Sequence, residues 1–396
     1  MGALTDMHAK GRVVDHRVTG PPASGRAIPA PGYTAGFAGD LRESARPVGR
    51  LAWADAAKGA CIVLVVLWHV IMKHYLQIDW RSAWVLPGAW GTVCEQLLPL
   101  RMPLFFTISG FFAVRAVDRP WRVLGRSKVA KFCYLYALWL IVHTALLSFV
   151  PSFDTARADG PLELLEQLTI TPSNLWYLYA LALYFVVAKL VRRVPPLVVL
   201  VAAFALSAIA SASLVTTPGD RGGVYQNLVF FLAGLYGKTL VERIVAAASW
   251  PRFVALAVPY LGILALIHQF GAKSWFGVWP VTCFVAVYLG TTLAGLATRS
   301  GTLTRALTSI GRRTLPIYVM HMPLLALLHV ALVSPLSDAG VGVQLTAAAV
   351  EPVLMTGVLV AICLGLHRIL PSRGLFELPW PHARATPRRA DDGVRA

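Results

Sequence analysis

The sequence predicts an all-α integral membrane protein with about ten transmembrane helices and cytoplasmic N and C termini. Of its 396 residues, 57% are apolar and only 14% are charged, whereas about 25% of residues are charged in a typical soluble domain. Apolar segments of about 20 residues, the length that crosses a hydrocarbon core, recur along the chain. These features exclude a disordered chain, a secreted disulfide scaffold and an ordinary soluble enzyme.

Ten apolar segments account for the predicted crossings. Each is long enough to cross about 30 Å of hydrocarbon at about 1.5 Å per residue. Their predicted bounds are 54–74, 97–115, 132–150, 174–191, 196–214, 224–241, 253–270, 276–297, 314–333 and 344–370.

The basic residues set the predicted orientation. The net charge is +17, and 29 of the 36 Lys and Arg lie in the two tails and in every second loop. The other loops carry few cations and include Asp154, Asp159, Glu163 and Glu166. The positive-inside rule therefore places both tails in the cytoplasm of a multi-pass inner membrane protein. The same distribution indicates a lipid bilayer, and not a nucleic acid, as the partner of this charge.

Both ends of the chain are predicted to be disordered, basic and cytoplasmic. Residues 1–50 and 371–396 are rich in Pro and Arg and show no apolar periodicity. Residues 51–370 form the predicted membrane domain. No metal site is expected, because the five cysteines show no CxxC or Cys/His ligand spacing.

The first predicted helix carries three ionisable residues, Asp55, Lys58 and His69. Lys58 and His69 are eleven residues apart, so they project from one helix face about 20° apart and are separated by about 16 Å along the axis. Asp55 lies three residues before Lys58 and can form an ion pair with it. An interfacial Asp55–Lys58 pair and a histidine satisfied by a neighbouring helix are the structural alternatives to a functional role.

The second predicted helix runs in the opposite direction and carries Arg101 in its first turn, within the segment LPLRMPLFFTISGFF. Arg101 is therefore expected at about the depth of His69 in the outer half of the membrane. The alternative is that its side chain extends to the outer headgroups. Ser109 and Gly110 are small residues that favour close helix packing.

Four segments in order resemble the membrane acyltransferase-3 family. The first is the pattern of a basic residue, ten intervening residues and a histidine, from Lys58 to His69, and the second is MPLFFTISGF. NLWYLYALALYF from Asn174 and GRRTLPIYVMHMPLL with His321 resemble two further family helices. The family often has a histidine where this chain has Asn174.

The resemblance implies an O-acyltransferase that moves an acyl group, often acetyl, from cytoplasmic acyl-CoA to a hydroxyl of an envelope glycan or glycolipid. Acyl-CoA is then a co-substrate, and no bound cofactor is expected. Lys58, assisted by Asp55 and by the basic residues from Arg115 to Lys131, would hold the CoA phosphates.

At the other end, His69 would act as a general base or as a transiently acylated nucleophile. Arg101 would stabilise the oxyanion or orient the acceptor. His321 would be a second acid or base, a residue of the donor channel, or a packing histidine. The acceptor residues would be Asn174, Trp176 and Tyr177, although an interfacial aromatic belt explains the two aromatic residues equally well.

The competing function is a multi-span transporter or flippase of a lipid-linked or small polar substrate. Ten spans with a polar interior permit it, but the paired broken helices that are frequent in transporters are not evident. A non-catalytic scaffold would make no use of the face that carries Lys58 and His69.

Overall fold

The computed structural model describes residues 48–81, 83, 85–217 and 222–379. All ten predicted apolar segments are helical, with bounds that differ from the predicted ones by a few residues. They are α1 (Val48–Lys73), α3 (Leu98–Val117), α5 (Ala130–Leu147), α7 (Trp176–Leu190), α8 (Pro196–Ser211), α9 (Gly222–Tyr236), α11 (Trp250–Phe270), α12 (Val278–Ala297), α14 (Thr314–Ser337) and α15 (Val341–Ile369). The described residues form no β-strand beyond one isolated bridge between Arg373 and Glu377.

Shorter helices connect the long ones. Four of them are helices of nine or more residues, namely α2 (Val85–Gln96), α6 (Pro161–Thr169), α10 (Lys238–Ala246) and α13 (Gly301–Gly311). The single turn α4 (Trp121–Leu124) leads through the π-helical turn Gly125–Val129 directly into α5, so these three form one continuous segment.

Seven segments of the described chain are long and apolar enough to cross a membrane. They are Ala52–Gln77, Val85–Val117, Trp121–Leu147, Trp250–Phe270, Val278–Ala297, Thr314–Ser337 and Val341–Ile369. The helices α7, α8 and α9 have only 15, 16 and 15 residues, and a helix needs about 20 to cross alone. The helix lengths are therefore compatible with seven to ten membrane crossings, and ten crossings stay a prediction.

The bundle has a buried centre and an apolar periphery. α3 and α12 are the most buried of the long segments. In α11 only Tyr260 and Leu264 are buried, and its exposed side chains include Val254, Val258 and Leu261. Lipid-facing helices expose such apolar side chains because hydrocarbon surrounds them.

Glycines permit two very close helix crossings. Gly110 of α3 and Gly234 of α9 face each other, and a Cβ added at either position would overlap backbone atoms of the other helix. Gly59 of α1 and Gly311 of α13 make the second crossing in the same way. The predicted packing role of Gly110 is thereby confirmed, since only a residue without a side chain permits this approach.

The C-terminal tail begins later than predicted. Phe376 is 3% exposed, its ring packs on the ring of Trp139, and Trp139 Nε1 donates a hydrogen bond to Leu375 O. The prediction of disorder from residue 371 is therefore wrong for residues 371–379, because an apolar ring in this short segment docks on α5. The rest of this tail and residues 1–47 of the N-terminal tail lie outside the described residues.

Candidate active site

The site consists of two cavities that meet at Tyr318 of α14. The histidine cavity, about 250 Å³, is lined by His69, Trp68, Lys73, Arg101, Met102, Val65, Asp154, Thr155, Ala156, Asn174, Trp176 and Tyr318. The lysine cavity, about 260 Å³, is lined by Lys58, Lys128, Lys131, Phe105, Ser109, Phe112, Phe132, Tyr177, Leu178, Leu181, Phe185, Thr314, Leu315 and Tyr318. The predicted common face of α1 thus carries Lys58 to one cavity and His69 to the other.

His69 and His321 form a hydrogen-bonded pair. His69 Nδ1 lies 2.8 Å from Val65 O and 3.2 Å from His321 Nε2, while His321 Nδ1 lies 3.1 Å from Ile317 O. All three contacts are satisfied when each histidine carries its proton on Nδ1, which makes His321 Nε2 an acceptor. No described residue hydrogen-bonds to His69 Nε2, so this nitrogen keeps a lone pair with which to accept a proton.

Arg101 and His69 line the same cavity, as predicted from the expected depth of Arg101 in the membrane. Its guanidinium carbon is 4.4 Å from the centroid of the Trp68 ring, and its Nε and Nη1 atoms are buried without a hydrogen-bond partner among the described residues. The side chain therefore does not extend away to the headgroups. Two buried donors without a partner favour an anionic or carbonyl ligand at this position.

Lys58 and Asp55 form the predicted ion pair, with Lys58 Nζ 2.7 Å from Asp55 Oδ1. Arg312 Nε lies 3.3 Å from Asp55 Oδ2, so one carboxylate contacts two cations. Lys58 nevertheless lines the lysine cavity together with Lys128 and Lys131. The structure therefore places Asp55 as a residue that positions Lys58, and it gathers three ammonium groups around one cavity.

Tyr318 and Tyr177 form the wall between the two cavities. Tyr318 Oη donates to Asn174 O at 3.0 Å and accepts from the Tyr177 amide at 3.1 Å, and the two ring centroids are 5.5 Å apart. Tyr177 Oη is 2.8 Å from Ser109 Oγ on α3. A chain that extended from the lysine cavity to His69 would have to pass this wall.

The structure separates the three predicted acceptor residues. Asn174 and Trp176 line the histidine cavity, whereas Tyr177 is buried and lines the lysine cavity. Consecutive residues of a helix project about 100° apart, so Trp176 and Tyr177 do not share a face. Tyr177 therefore lies apart from Asn174 and Trp176, and its acceptor role stays a prediction.

His321 also differs in part from its predicted roles. It is 1% exposed and lines neither cavity. Its contacts with the site are the bond to His69 Nδ1 and a ring contact with Tyr318, 6.0 Å between centroids, which favour a positioning role over direct contact with substrate.

Sequence reasoning missed two features. Tyr318 lies within the quoted GRRTLPIYVMHMPLL segment, three residues before His321, and its place in the wall depends on tertiary packing. Glu351 of α15 is buried, and its Oε1 lies 3.3 Å from His74 Nε2. The rule that ionisable residues within spans are expensive would have identified Glu351 as notable.

The helices and the two cavities define a multi-pass α-helical membrane protein with a hydrogen-bonded histidine pair. The chain belongs to the acyltransferase-3 family, because a family model described as an acyltransferase domain matches residues 51–368. The chain is also similar to the inner membrane protein YcfT of Escherichia coli (strain K12). The two are 28% identical over 309 residues, which cover 72% of this chain and 83% of that relative.

No solved structure matches the chain. The family resemblance of the four motifs is confirmed by the family match, which extends over most of the described membrane domain. The relative is an inner membrane protein, and this chain, with its several apolar helices, is a multi-pass inner membrane protein whose family supports an acyltransferase activity.

Proposed function

We propose that the protein transfers an acyl group, acetyl in the simplest case, from cytoplasmic acyl-CoA to a hydroxyl of an envelope glycan or glycolipid. The observation that carries this proposal is the pair of cavities joined at Tyr318, one rich in lysine and one containing His69 Nε2. With the predicted orientation, the lysine cavity faces the cytoplasm, where the thioester is made, and the histidine cavity faces outward.

The donor would bind through its phosphates in the lysine cavity. Ammonium groups form strong, charge-assisted hydrogen bonds to phosphate oxygens, and Lys58, Lys128 and Lys131 supply three of them. The distance of about 16 Å along α1 between Lys58 and His69 is of the order of an extended pantetheine arm. The thioester would then reach His69 once Tyr318 moves aside.

His69 would accept the proton of the acceptor hydroxyl on Nε2 as that oxygen attacks the thioester carbonyl carbon. The tetrahedral intermediate places a negative charge on the former carbonyl oxygen, and the buried Arg101 would stabilise it. Collapse breaks the carbon–sulfur bond, the ester remains on the acceptor, and the CoA thiolate takes the proton back from His69. His321, which accepts from Nδ1–H, would hold the imidazole in the required tautomer.

A two-step route uses the same atoms. His69 Nε2 attacks the thioester carbonyl carbon first and expels CoA as its thiolate. The acceptor hydroxyl then attacks the acyl-imidazole, the carbon–nitrogen bond breaks, and the hydroxyl proton passes to the CoA thiolate. A rapid acid quench with labelled acetyl-CoA in the absence of acceptor distinguishes the routes, because only the second leaves label on the protein.

The test of the proposal is thioester consumption by purified protein in nanodiscs. Radiolabelled acetyl-CoA is supplied with methyl β-D-glucoside as a hydroxyl acceptor, and the release of free CoA thiol and the labelled ester are measured. The proposal predicts acceptor-dependent CoA release that ceases in His69→Gln. Intact thioester at all acceptor and protein concentrations, together with substrate movement across the bilayer, would instead favour the transporter.

A further inference from the structure

We infer that the acceptor is an anionic saccharide, a sugar that carries a carboxylate or a phosphate, and that Lys273 recognises its charge. A third cavity, here called the tryptophan cavity, adjoins the histidine cavity and has a volume of about 710 Å³. Both cavities have Trp68, Arg101, Met102 and Trp176 in their walls. A molecule bound in the tryptophan cavity therefore reaches the residues that surround His69.

The tryptophan cavity has the surfaces that a sugar requires. Trp68, Trp176 and Trp279 line it, and indole faces pack against the apolar face of a sugar ring. Gln226 and Asn227 contribute amides. Asn227 is 6% exposed and its Oδ1 is buried without a hydrogen-bond partner among the described residues. A buried acceptor of this kind is satisfied by a donor such as a sugar hydroxyl.

The charge of the cavity favours an anion. Among its described lining residues, Arg101 and Lys273 are the two cations, and none is Asp or Glu. Lys273 Nζ lies over the Trp279 ring, 5.0 Å from its centroid, so the ammonium and this indole are adjacent in the cavity wall. Arg101 retains buried donors without a described partner. A sugar bearing a carboxylate or phosphate would match both cations while its ring contacts tryptophan.

The identification of this ligand as the acceptor rests on the proposed acyl transfer, but its binding is measured without acyl-CoA. Protein in neutral-lipid nanodiscs is titrated at constant ionic strength with methyl β-D-glucuronide, glucose 6-phosphate or methyl β-D-glucoside. The shift in the thermal unfolding midpoint gives each affinity. We expect at least one of the two anionic sugars to bind more tightly than the neutral glucoside, by about fivefold or more. This factor corresponds to the strongest ion pairs measured at solvent-exposed positions.

Lys273→Gln should reduce the preference for the anionic sugar by about fivefold, and Lys273→Arg should retain it. The matched control is Lys238→Gln, because Lys238 also contacts an aromatic ring, that of Phe111 at 5.3 Å, but lies outside the tryptophan cavity. Equal binding of all three sugars, no binding of any, or an equal effect of the two Gln variants would overturn the inference. Charge-dependent binding with no thioester consumption would instead refute the proposed acyl transfer alone.

Discussion

The chemistry of the site depends on which nitrogen of His69 is left for the substrate. Val65 O and His321 Nε2 both lie within hydrogen-bond distance of His69 Nδ1. The lone pair of His69 Nε2 is therefore available to the substrate. Periodicity predicted that Lys58 and His69 share a face, and the family resemblance drew attention to His321. The bond between His69 and His321 joins residues 252 positions apart, so no local pattern could predict it.

His321→Leu should lower kcat by about tenfold, the upper range for loss of one neutral hydrogen bond, and leave the KM for acetyl-CoA unchanged. The variant removes the acceptor that holds the His69 tautomer. His321→Gln supplies another side-chain acceptor and should recover most of the rate. Steady-state kinetics normalised to monodisperse protein provide the measurement, and equal rates for the Leu and Gln variants would argue against a positioning role.

Lys58→Ala should raise the KM for acetyl-CoA by about 10- to 100-fold, as expected for loss of a charge-assisted hydrogen bond. Lys58→Arg should keep substantial activity because the charge remains. Kinetics with varied donor concentration measure both, with Lys238→Ala as a control that removes a lysine outside the lysine cavity. Unchanged donor binding in Lys58→Ala would exclude the phosphate role.

At the scale of elements, apolar length located the ten long helices but not the four shorter helices α2, α6, α10 and α13. The helices α10 and α13 each have one apolar face and one polar face. Their mean hydropathy is therefore low, and a window that averages hydropathy does not detect them. Their positions depend on contacts with distant helices, such as the crossing of Gly59 with Gly311. The bound of the C-terminal tail was missed for a similar reason, because the burial of Phe376 depends on α5.

Gly110→Ala should destabilise the protein by roughly 1–3 kcal/mol, since the added Cβ overlaps the backbone of α9 and forces the two helices apart. The matched control is Gly262→Ala in α11, where nothing lies within 4 Å of an added Cβ. That variant should be neutral or slightly stabilising, because alanine favours a helix. Thermal unfolding in nanodiscs gives both values, and similar midpoints for the two variants would contradict the close crossing.

At the scale of the whole molecule, the orientation in the membrane determines from which side the donor and the acceptor enter. The charge distribution predicts ten crossings with both tails in the cytoplasm, whereas seven crossings would place the tails on opposite sides. The three short helices decide between these numbers. Hydropathy could not settle this point, because the residues of α7 and α9 are buried mainly against other helices.

The orientation predicts that a cysteine at Ser152 reacts with an impermeant thiol reagent in intact cells, whereas one at Arg126 reacts only after permeabilisation. Both positions are exposed. The background variant is Cys133→Ser, because Cys133 is exposed and the other four cysteines are buried. Reporters fused to the two tails should both be cytoplasmic. Labelling of the Arg126 position in intact cells, or tails on opposite sides, would require a different topology.

The central claim is that His69 Nε2 takes the proton of the acceptor hydroxyl. The most direct test is the acetyl-transfer rate of His69→Gln per molecule of folded, monodisperse protein in nanodiscs. A positioned general base typically contributes about 10²–10⁴-fold to the rate, so the variant should lose activity by a factor in that range while its yield and unfolding midpoint stay near those of the wild type. A His69→Gln protein with near wild-type specific activity would contradict the claim.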